Sequence, residues 1–130
     1  MYARDLSVWD RGICLLVEDS GFDQKMMIRA ICKAGIYFPL LIADSIASAR
    51  ELLAENRIRF LLLDNLLPDG LGVDLALELA ALEAYQSVPM ALITDWQSPG
   101  MYQKARRAGI REVMGKADFV PTRVKRLMAH

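Results

Sequence analysis

The stretch 60–70 constrains the fold of this chain more than any other. Residues 60–63 are four consecutive large apolar side chains, and Asp64 follows them directly. An apolar run without polar alternation predicts a strand that is buried on both faces, as in the middle of a parallel sheet. Pro68 and an Asp-Gly turn dipeptide end the run. Asp64 is therefore predicted at the C-terminal end of a central strand, the edge at which open α/β sheets bind ligands.

Further apolar segments alternate with amphipathic segments along the whole chain. This alternation predicts an α/β fold, a doubly wound five-stranded parallel sheet with helices on both faces. The strands are expected at residues 13–17, 37–43, 59–64, 88–93 and 110–115, and the helices at about 22–34, 46–56, 72–85, 99–108 and 119–128. Pro39 lies inside the second predicted strand, which places that strand at an edge of the sheet because proline cannot donate to a ladder.

Helix starts are indicated by short polar side chains after the strands. Ser20 and Ser98 are predicted N-caps, and Asp118 is the predicted cap of the last helix. The periodicity places Phe22 on the apolar face of the first helix and Val120 on that of the last. The side chains of Phe22 and Val120 are therefore expected to point inward.

Length and charge limit the classes of function that the chain can have. At 130 residues, 54% of them hydrophobic, the chain predicts one domain over residues 13–130, preceded by an N-terminal arm of residues 1–12. Basic and acidic residues balance at 16 each, so charge favours neither direct nucleic-acid binding nor attraction to an anionic membrane. The apolar stretch 36–43 is too short to span a bilayer, so no membrane insertion is expected.

The cysteines and the first residues indicate the compartment. Cys14 and Cys32 fall within apolar patterns, where reduced, buried thiols are expected. The arm mixes both charge signs, which is not typical of a signal peptide. We therefore expect a cytoplasmic protein. The sequence contains no Cys/His cluster of the kind that binds zinc.

Polar residues follow four of the predicted strands. Glu18 and Asp19 follow the first, Asp64 the third, Thr94 the fourth and Lys116 the fifth. Parallel strands end at one edge, so these side chains are expected to converge there. Three uncompensated carboxylates would repel one another and raise their pKa values, whereas a hard cation such as Mg²⁺ would resolve the repulsion. The set suits phosphoryl transfer, in which a carboxylate attacks phosphorus while metal and ammonium neutralise the phosphoryl oxygens.

The order and spacing of these residues resemble the receiver domain of two-component response regulators. Residues 15–20, Leu-Leu-Val-Glu-Asp-Ser, are similar to the opening acidic motif of the family, and residues 63–70 are similar to its phosphoacceptor motif. Thr94 and Lys116 follow at the spacing of the family. The resemblance covers residues 13–129 and implies a flavodoxin-like strand order 2-1-3-4-5.

The resemblance implies a role for each matching residue at the acidic edge. Asp64 is expected to be the phosphoacceptor, with an acyl phosphate as its product. Asp19, Asp64 and the backbone carbonyl of Leu66 are expected to bind Mg²⁺ directly, and Glu18 through water. The only catalysis this implies is that of the chain's own phosphorylation and dephosphorylation.

The resemblance also implies how a signal would leave the site. Lys116 is expected to pair with Asp64 and then with the phosphoryl group, while Thr94 binds a phosphoryl oxygen and draws its loop inward. That movement would repack the face of helix 4, strand 5 and helix 5. The phosphoryl donor is expected to be a sensor histidine kinase or a histidine phosphotransfer protein. The docking residues expected for a downstream partner are Lys104, Arg107, Arg111 and Val113. Because no output domain follows helix 5, a stand-alone receiver is expected, and a homodimer remains open.

Three positions depart from the family pattern. Val113 stands where an aromatic residue is frequent, Asp95 where a small residue is usual after the threonine, and Ala117 where proline commonly follows the lysine. These departures leave a second hypothesis open, a degenerate receiver used as a phosphorylation-independent docking module. A metal-dependent phosphatase is disfavoured because Leu66 occupies the position of its general acid. Trp96 is expected to shield the pocket, to shape a partner surface or to be an exposed loop aromatic residue.

Overall fold

Five parallel strands form the central sheet in this computed structural model, which describes residues 12–129. The strands are β1 (Ile13–Val17), β2 (Leu40–Ala43), β3 (Ile58–Leu63), β4 (Met90–Ile93) and β5 (Glu112–Met114). Their order is β2-β1-β3-β4-β5, and every neighbouring pair is parallel. The predicted fold class and strand order are therefore confirmed. Nearly all of the predicted N-terminal arm lies outside the described residues.

Five α-helices cover the two faces of the sheet. They are α1 (Gly21–Lys33), α2 (Ile46–Glu55), α3 (Gly72–Ala80), α4 (Pro99–Arg107) and α5 (Pro121–Met128). Buried side chains of α1 and α5 pack in one core layer, and those of α2, α3 and α4 pack in the other. Strand β3 supplies both layers, because Leu61 and Leu63 point to one face while Phe60 and Leu62 point to the other. All four side chains are buried, as expected for a central strand.

The second strand is shorter than predicted. It begins at Leu40, after Pro39, and Tyr37 is 82% exposed, so the prediction of a strand from residue 37 is wrong. Pro39 has no N–H to donate, but its carbonyl accepts a hydrogen bond from Cys14 N at 2.9 Å. The predicted edge position of β2 is confirmed.

The segment after β3 contains a small hairpin that the sequence pattern did not predict. Residues Leu66–Leu67 pair with Gly70–Leu71 in an antiparallel arrangement. Gly72 then begins α3 so close to β3 that a Cβ atom there would lie 2.0 Å from the carbonyl oxygen of Asp64. The hairpin and the close approach of Gly72 place the start of α3 directly against the end of β3.

Several predicted helix boundaries and orientations are wrong. Helix α3 ends at Ala80, and Glu83–Tyr85 forms a separate 3₁₀ turn. Asp118 belongs to another 3₁₀ turn and does not cap α5, which begins at Pro121, a residue suited to a first helical position because it lacks an N–H. Val120 is 40% exposed because it precedes α5, and Phe22 is 78% exposed because the buried face of α1 begins only at Met27. Among residues 12–129, no helix combines the length and apolar character needed to cross a membrane.

Candidate functional site

Three carboxylates meet at the C-terminal edge of the sheet. Glu18 and Asp19 follow β1, and Asp64 follows β3, its neighbour in the sheet. One carboxylate oxygen from each residue lies within 4.8 Å of the other two. Glu18 and Asp64 are buried, whereas Asp19 is exposed. The backbone N–H of Asp64 donates to the carbonyl of Val17 at 2.9 Å, which fixes the end of β3 beside β1.

The ammonium of Lys116 reaches into this acidic cluster from the loop after β5. Its Nζ lies 2.9 Å from Glu18 Oε1 and 3.3 Å from Asp64 Oδ2. A further carboxylate, that of Asp23, is closer than either, with Oδ2 at 2.6 Å. Asp23 was not among the residues predicted for this edge. Its position three residues after the N-cap Ser20 could have indicated it, because an acid in that first helical turn lies near the same edge of the sheet.

Burial and charge set the protonation of this cluster. Burial raises the pKa of Glu18 to about 7, although the nearby Lys116 ammonium and the backbone N–H of Ser20 act in the opposite direction. Burial by itself would lower the pKa of Lys116. Its hydrogen bond to Asp23 and its ion pair with Glu18, together with the negative charge of Asp64, outweigh burial and raise the pKa of Lys116 above its ordinary value. Lys116 is therefore charged at neutral pH, whereas the carboxyl group of Glu18 titrates near pH 7.

The acidic cluster fits a hard divalent cation. Glu18 Oε1 is buried and accepts no hydrogen bond from the described residues, and its close polar neighbour is the Lys116 ammonium. Carboxylate oxygens are the ligands that Mg²⁺ and similar cations prefer. The cluster of Glu18, Asp19 and Asp64 supplies three of them within 4.8 Å of one another. Leu66 lies in the hairpin two residues after Asp64, and its side chain is exposed.

Thr94 lies at the end of β4 and is fully buried. Its Oγ1 accepts a hydrogen bond from the backbone N–H of Trp96 at 3.2 Å, and its own N–H donates to the carbonyl of Met114 at 2.8 Å. The hydroxyl is thus bound to its own loop. Trp96 is 70% exposed, which agrees with the interpretation of an exposed loop aromatic residue.

The three residues that depart from the family pattern, Asp95, Ala117 and Val113, have different surroundings. Asp95 Oδ1 accepts a hydrogen bond from the backbone N–H of Lys116 at 2.9 Å, so this carboxylate joins the loop after β4 to the loop after β5. The peptide bond between Lys116 and Ala117 is trans, like the others within residues 12–129. Val113 is half-buried and packs against the core layer of α2, α3 and α4.

The predicted basic docking residues have different surroundings. Lys104 forms an ion pair with Asp74 of α3 at 2.8 Å. Arg111 donates to the carbonyl of Leu127 at 3.0 Å, near the end of α5. Arg107 is exposed in the last turn of α4. Lys104 and Arg111 are therefore bound within the chain, to separate helices, and do not form one free basic surface.

The fold is that of response-regulator receiver domains. The chain is 19% identical to response regulator Rcp1 in its Mn²⁺-bound form, with a TM-score of 0.78 over 89% of this chain and 91% of that one. It is 17% identical to the phosphorylated cyanobacterial phytochrome response regulator RcpA, with a TM-score of 0.77 over 89% and 90% of the two chains. It is 25% identical to the non-phosphorylated HemR receiver domain from Leptospira biflexa, with a TM-score of 0.73 over 90% and 94%.

Comparison of sequences detects less than comparison of structures does for this chain. No protein-family model matches the sequence, and a search of curated proteins also found no match. The similarity shown by the comparisons is therefore one of fold.

Proposed function

We propose that this chain is a signalling switch that accepts a phosphoryl group on Asp64 with the help of a divalent cation, Mg²⁺ in the cell. The observation that supports this best is the position of Lys116, whose Nζ lies 3.3 Å from Asp64 Oδ2 within the cluster that includes Glu18 and Asp19. A nucleophile, a cation site and a fixed ammonium are the groups that phosphoryl transfer to a carboxylate requires.

Asp64 is the proposed nucleophile. An oxygen of its carboxylate attacks phosphorus, and the new O–P bond forms as the bond between phosphorus and the donor breaks. The donor leaves with the bonding electron pair. The backbone of Asp64 is fixed by its hydrogen bond to Val17, and the carboxylate is buried, which limits the water that could compete with the donor.

Glu18, Asp19 and Asp64 would hold the cation, with the Leu66 carbonyl as a further ligand. When bound, the cation supplies positive charge that neutralises the phosphoryl oxygens. A bound cation also favours loss of the Glu18 proton, because the pKa of Glu18 is about 7 without it. Two of the structural neighbours support this proposal, since one is a Mn²⁺-bound and the other a phosphorylated response regulator.

Lys116 and Thr94 are the proposed contacts of the phosphoryl group. Lys116 would place its ammonium against a phosphoryl oxygen. Thr94 would exchange its hydrogen bond with Trp96 for one to the phosphoryl group, which would move the loop after β4. Because Asp95 of that loop is bound to the backbone of Lys116, the two loops would move together.

The proposed donor is a sensor histidine kinase or a histidine phosphotransfer protein, and the proposed output is binding of a downstream partner. Of the predicted docking set, Arg107 and Arg111 are exposed, and Val113 in β5 is half-buried. Movement of the loop after β4 would change the face of α4, β5 and α5, since that loop leads directly into α4.

A second candidate is a docking module that works without phosphorylation. It is favoured by the ion pair between Lys116 and Asp23, because this contact neutralises the ammonium without any phosphoryl group. Under this hypothesis the acidic edge would be a structural ion-pair network.

Intact mass measurement after incubation with Mg²⁺ and acetyl phosphate distinguishes the two. The switch predicts a gain of one phosphoryl group by the native chain and none by Asp64→Asn. Asp74→Asn is the matched control, because it removes an exposed aspartate that is ion-paired with Lys104 outside the acidic cluster. Absence of an adduct, together with absence of Mg²⁺ binding, would rule out the switch in favour of the docking module.

A further inference from the structure

The contacts of Lys116 are unequal. Its Nζ is 2.6 Å from Asp23 Oδ2, 2.9 Å from Glu18 Oε1 and 3.3 Å from Asp64 Oδ2. The contact with Asp23 also has hydrogen-bond geometry. A short hydrogen bond between an ammonium and a carboxylate is among the stronger polar contacts in proteins. The ammonium is therefore held most closely by a residue outside the cluster proposed to bind the cation.

The local structure explains why the Asp23 side chain is available for this contact. Asp23 is the third residue of α1, the position from which an acidic side chain usually bonds back to the N–H of the N-cap. Here the N–H of the N-cap, Ser20, donates to Glu18 Oε2 at 3.1 Å instead. The backbone N–H of Asp23 donates to Ser20 Oγ, which fixes its place in the turn. The carboxylate of Asp23 consequently points away from the cap and meets Lys116.

Both partners are shielded, which strengthens the contact. The side chains of Lys116 and Asp23 are 17% and 21% exposed. An ion pair in such surroundings is weakened less by solvent and salt than one on the open surface. For the ammonium to make close contact with the oxygens of a phosphoryl group on Asp64, it would have to shift from Asp23 toward Asp64.

We propose that Asp23 is a positioning residue that holds the Lys116 ammonium in competition with Asp64 and so slows phosphoryl transfer to Asp64. This inference rests on the proposed function. With acetyl phosphate as donor, the O–P bond to Asp64 forms as the P–O bond to acetate breaks, and acetate leaves with the electron pair. Asp23 takes no part in that exchange and acts only through the position of Lys116.

A double-mutant cycle tests the inference in the full chain with Mg²⁺ and acetyl phosphate. Asp23→Asn is expected to raise the phosphorylation rate constant by roughly 3- to 10-fold, and Asp23→Glu to leave it within about twofold of the native value. In a Lys116→Ala background, Asp23→Asn is expected to have no effect. Asp74→Asn, which removes an acid from the first turn of α3, serves as the matched control and is expected to leave the rate unchanged.

Crystal structures of the native chain and Asp23→Asn provide a readout that does not depend on phosphorylation. The distance between Lys116 Nζ and Asp64 Oδ2 is expected to shorten from 3.3 Å to about 2.8 Å in the variant. An Nζ atom that stays in place, or an Asp23→Asn effect that persists in Lys116→Ala, overturns the inference. If the native chain takes up no phosphoryl group while Nζ moves as expected, the proposed function fails and the anchoring of Lys116 by Asp23 is supported.

Discussion

The side chain of Asp95 is bound to the backbone of Lys116. Asp95 Oδ1 accepts the Lys116 N–H at 2.9 Å, so the residue after Thr94 holds the backbone of the residue whose ammonium lies 3.3 Å from Asp64 Oδ2. Gly115 permits this approach, because a Cβ atom there would lie 3.2 Å from the same oxygen. A carboxylate at this position therefore links the two loops that the proposed switch would move.

Loss of this link is expected to change the lifetime of the acyl phosphate. Asp95→Ala removes the acceptor and leaves the backbone of Lys116 less restrained, and it should also lower the free energy of unfolding by about 1 kcal/mol or less. Asp95→Asn keeps an acceptor oxygen and should have smaller effects. Hydrolysis of the phosphorylated protein, followed by intact mass, measures the lifetime, and urea denaturation measures stability. Equal lifetimes in the native chain and Asp95→Ala would show that this link does not control the site.

The raised pKa of Glu18 predicts a pH-dependent stability in metal-free protein. Between its ordinary carboxyl value of 4.5 and about 7, the folded chain binds the Glu18 proton more tightly than the unfolded chain does. Stability is therefore expected to fall as pH rises through this window, by about 3 kcal/mol at most. Urea denaturation of the native chain and of Glu18→Gln measures it, since Gln cannot ionise. A native chain and a variant with parallel pH profiles would contradict the prediction.

Lys116→Ala is expected to retain Mg²⁺ binding and to impair phosphorylation. The variant keeps Glu18, Asp19 and Asp64 while removing the ammonium that competes with the cation for their charge. Calorimetric titration should give a Mg²⁺ affinity equal to or higher than that of the native chain. Phosphorylation from acetyl phosphate should slow by roughly tenfold or more, because the phosphoryl oxygens lose a positive partner. Unchanged phosphorylation and partner binding would remove Lys116 from the proposed switch.

Gly72 has a structural requirement that can be tested separately from function. Gly72→Ala would place Cβ 2.0 Å from the carbonyl oxygen of Asp64, and this contact is with backbone that cannot rotate away. We expect a loss of about 3 kcal/mol or more in the free energy of unfolding. Gly100→Ala is the matched control, since a Cβ atom at this position in the first turn of α4 has no other atom within 4 Å. This variant is expected to gain about 0.5 kcal/mol in the free energy of unfolding. Similar unfolding midpoints for the two variants would refute the close approach.

Asp69 caps a helix that is distant in sequence. Its two carboxylate oxygens accept the backbone N–H groups of Ile46 at 2.8 Å and Ala47 at 2.9 Å, the first residues of α2. These hydrogen bonds lower the pKa of Asp69 below its ordinary value. The capping contribution should be complete above the ordinary carboxyl pKa and be lost as pH falls through the lowered one. Asp69→Ala is accordingly expected to be less stable than the native chain at pH 7, with the difference shrinking in acid, as monitored by thermal unfolding.

The sequence predicted the sheet well because strands and helices are encoded by local, repeating patterns of apolar residues. An apolar run such as 60–63 has one favourable environment, the centre of a parallel sheet, and the alternation of strands with amphipathic helices leaves one class of fold. The strand ends then determine which polar residues share an edge, so the convergence of Glu18, Asp19 and Asp64 was predictable before any coordinates. Predicted element boundaries were less accurate. Strand β2 begins only after Pro39, which cannot donate to a ladder, and Asp118 lies in a 3₁₀ turn before α5.

The side-chain partners at that edge depend on the tertiary structure. Asp23 and Lys116 lie far apart in the chain, and nothing in either local segment specifies that α1 and the loop after β5 face each other at hydrogen-bond distance. The same holds for Asp95 with the Lys116 backbone and for Asp69 with the start of α2. Local pattern thus determined the fold and the polar residues that follow the strands, but not the place of Asp23 beside them. Packing of distant segments decided which of four carboxylates holds the ammonium, because ion pairs and hydrogen bonds depend on tenths of an ångström that no periodicity encodes.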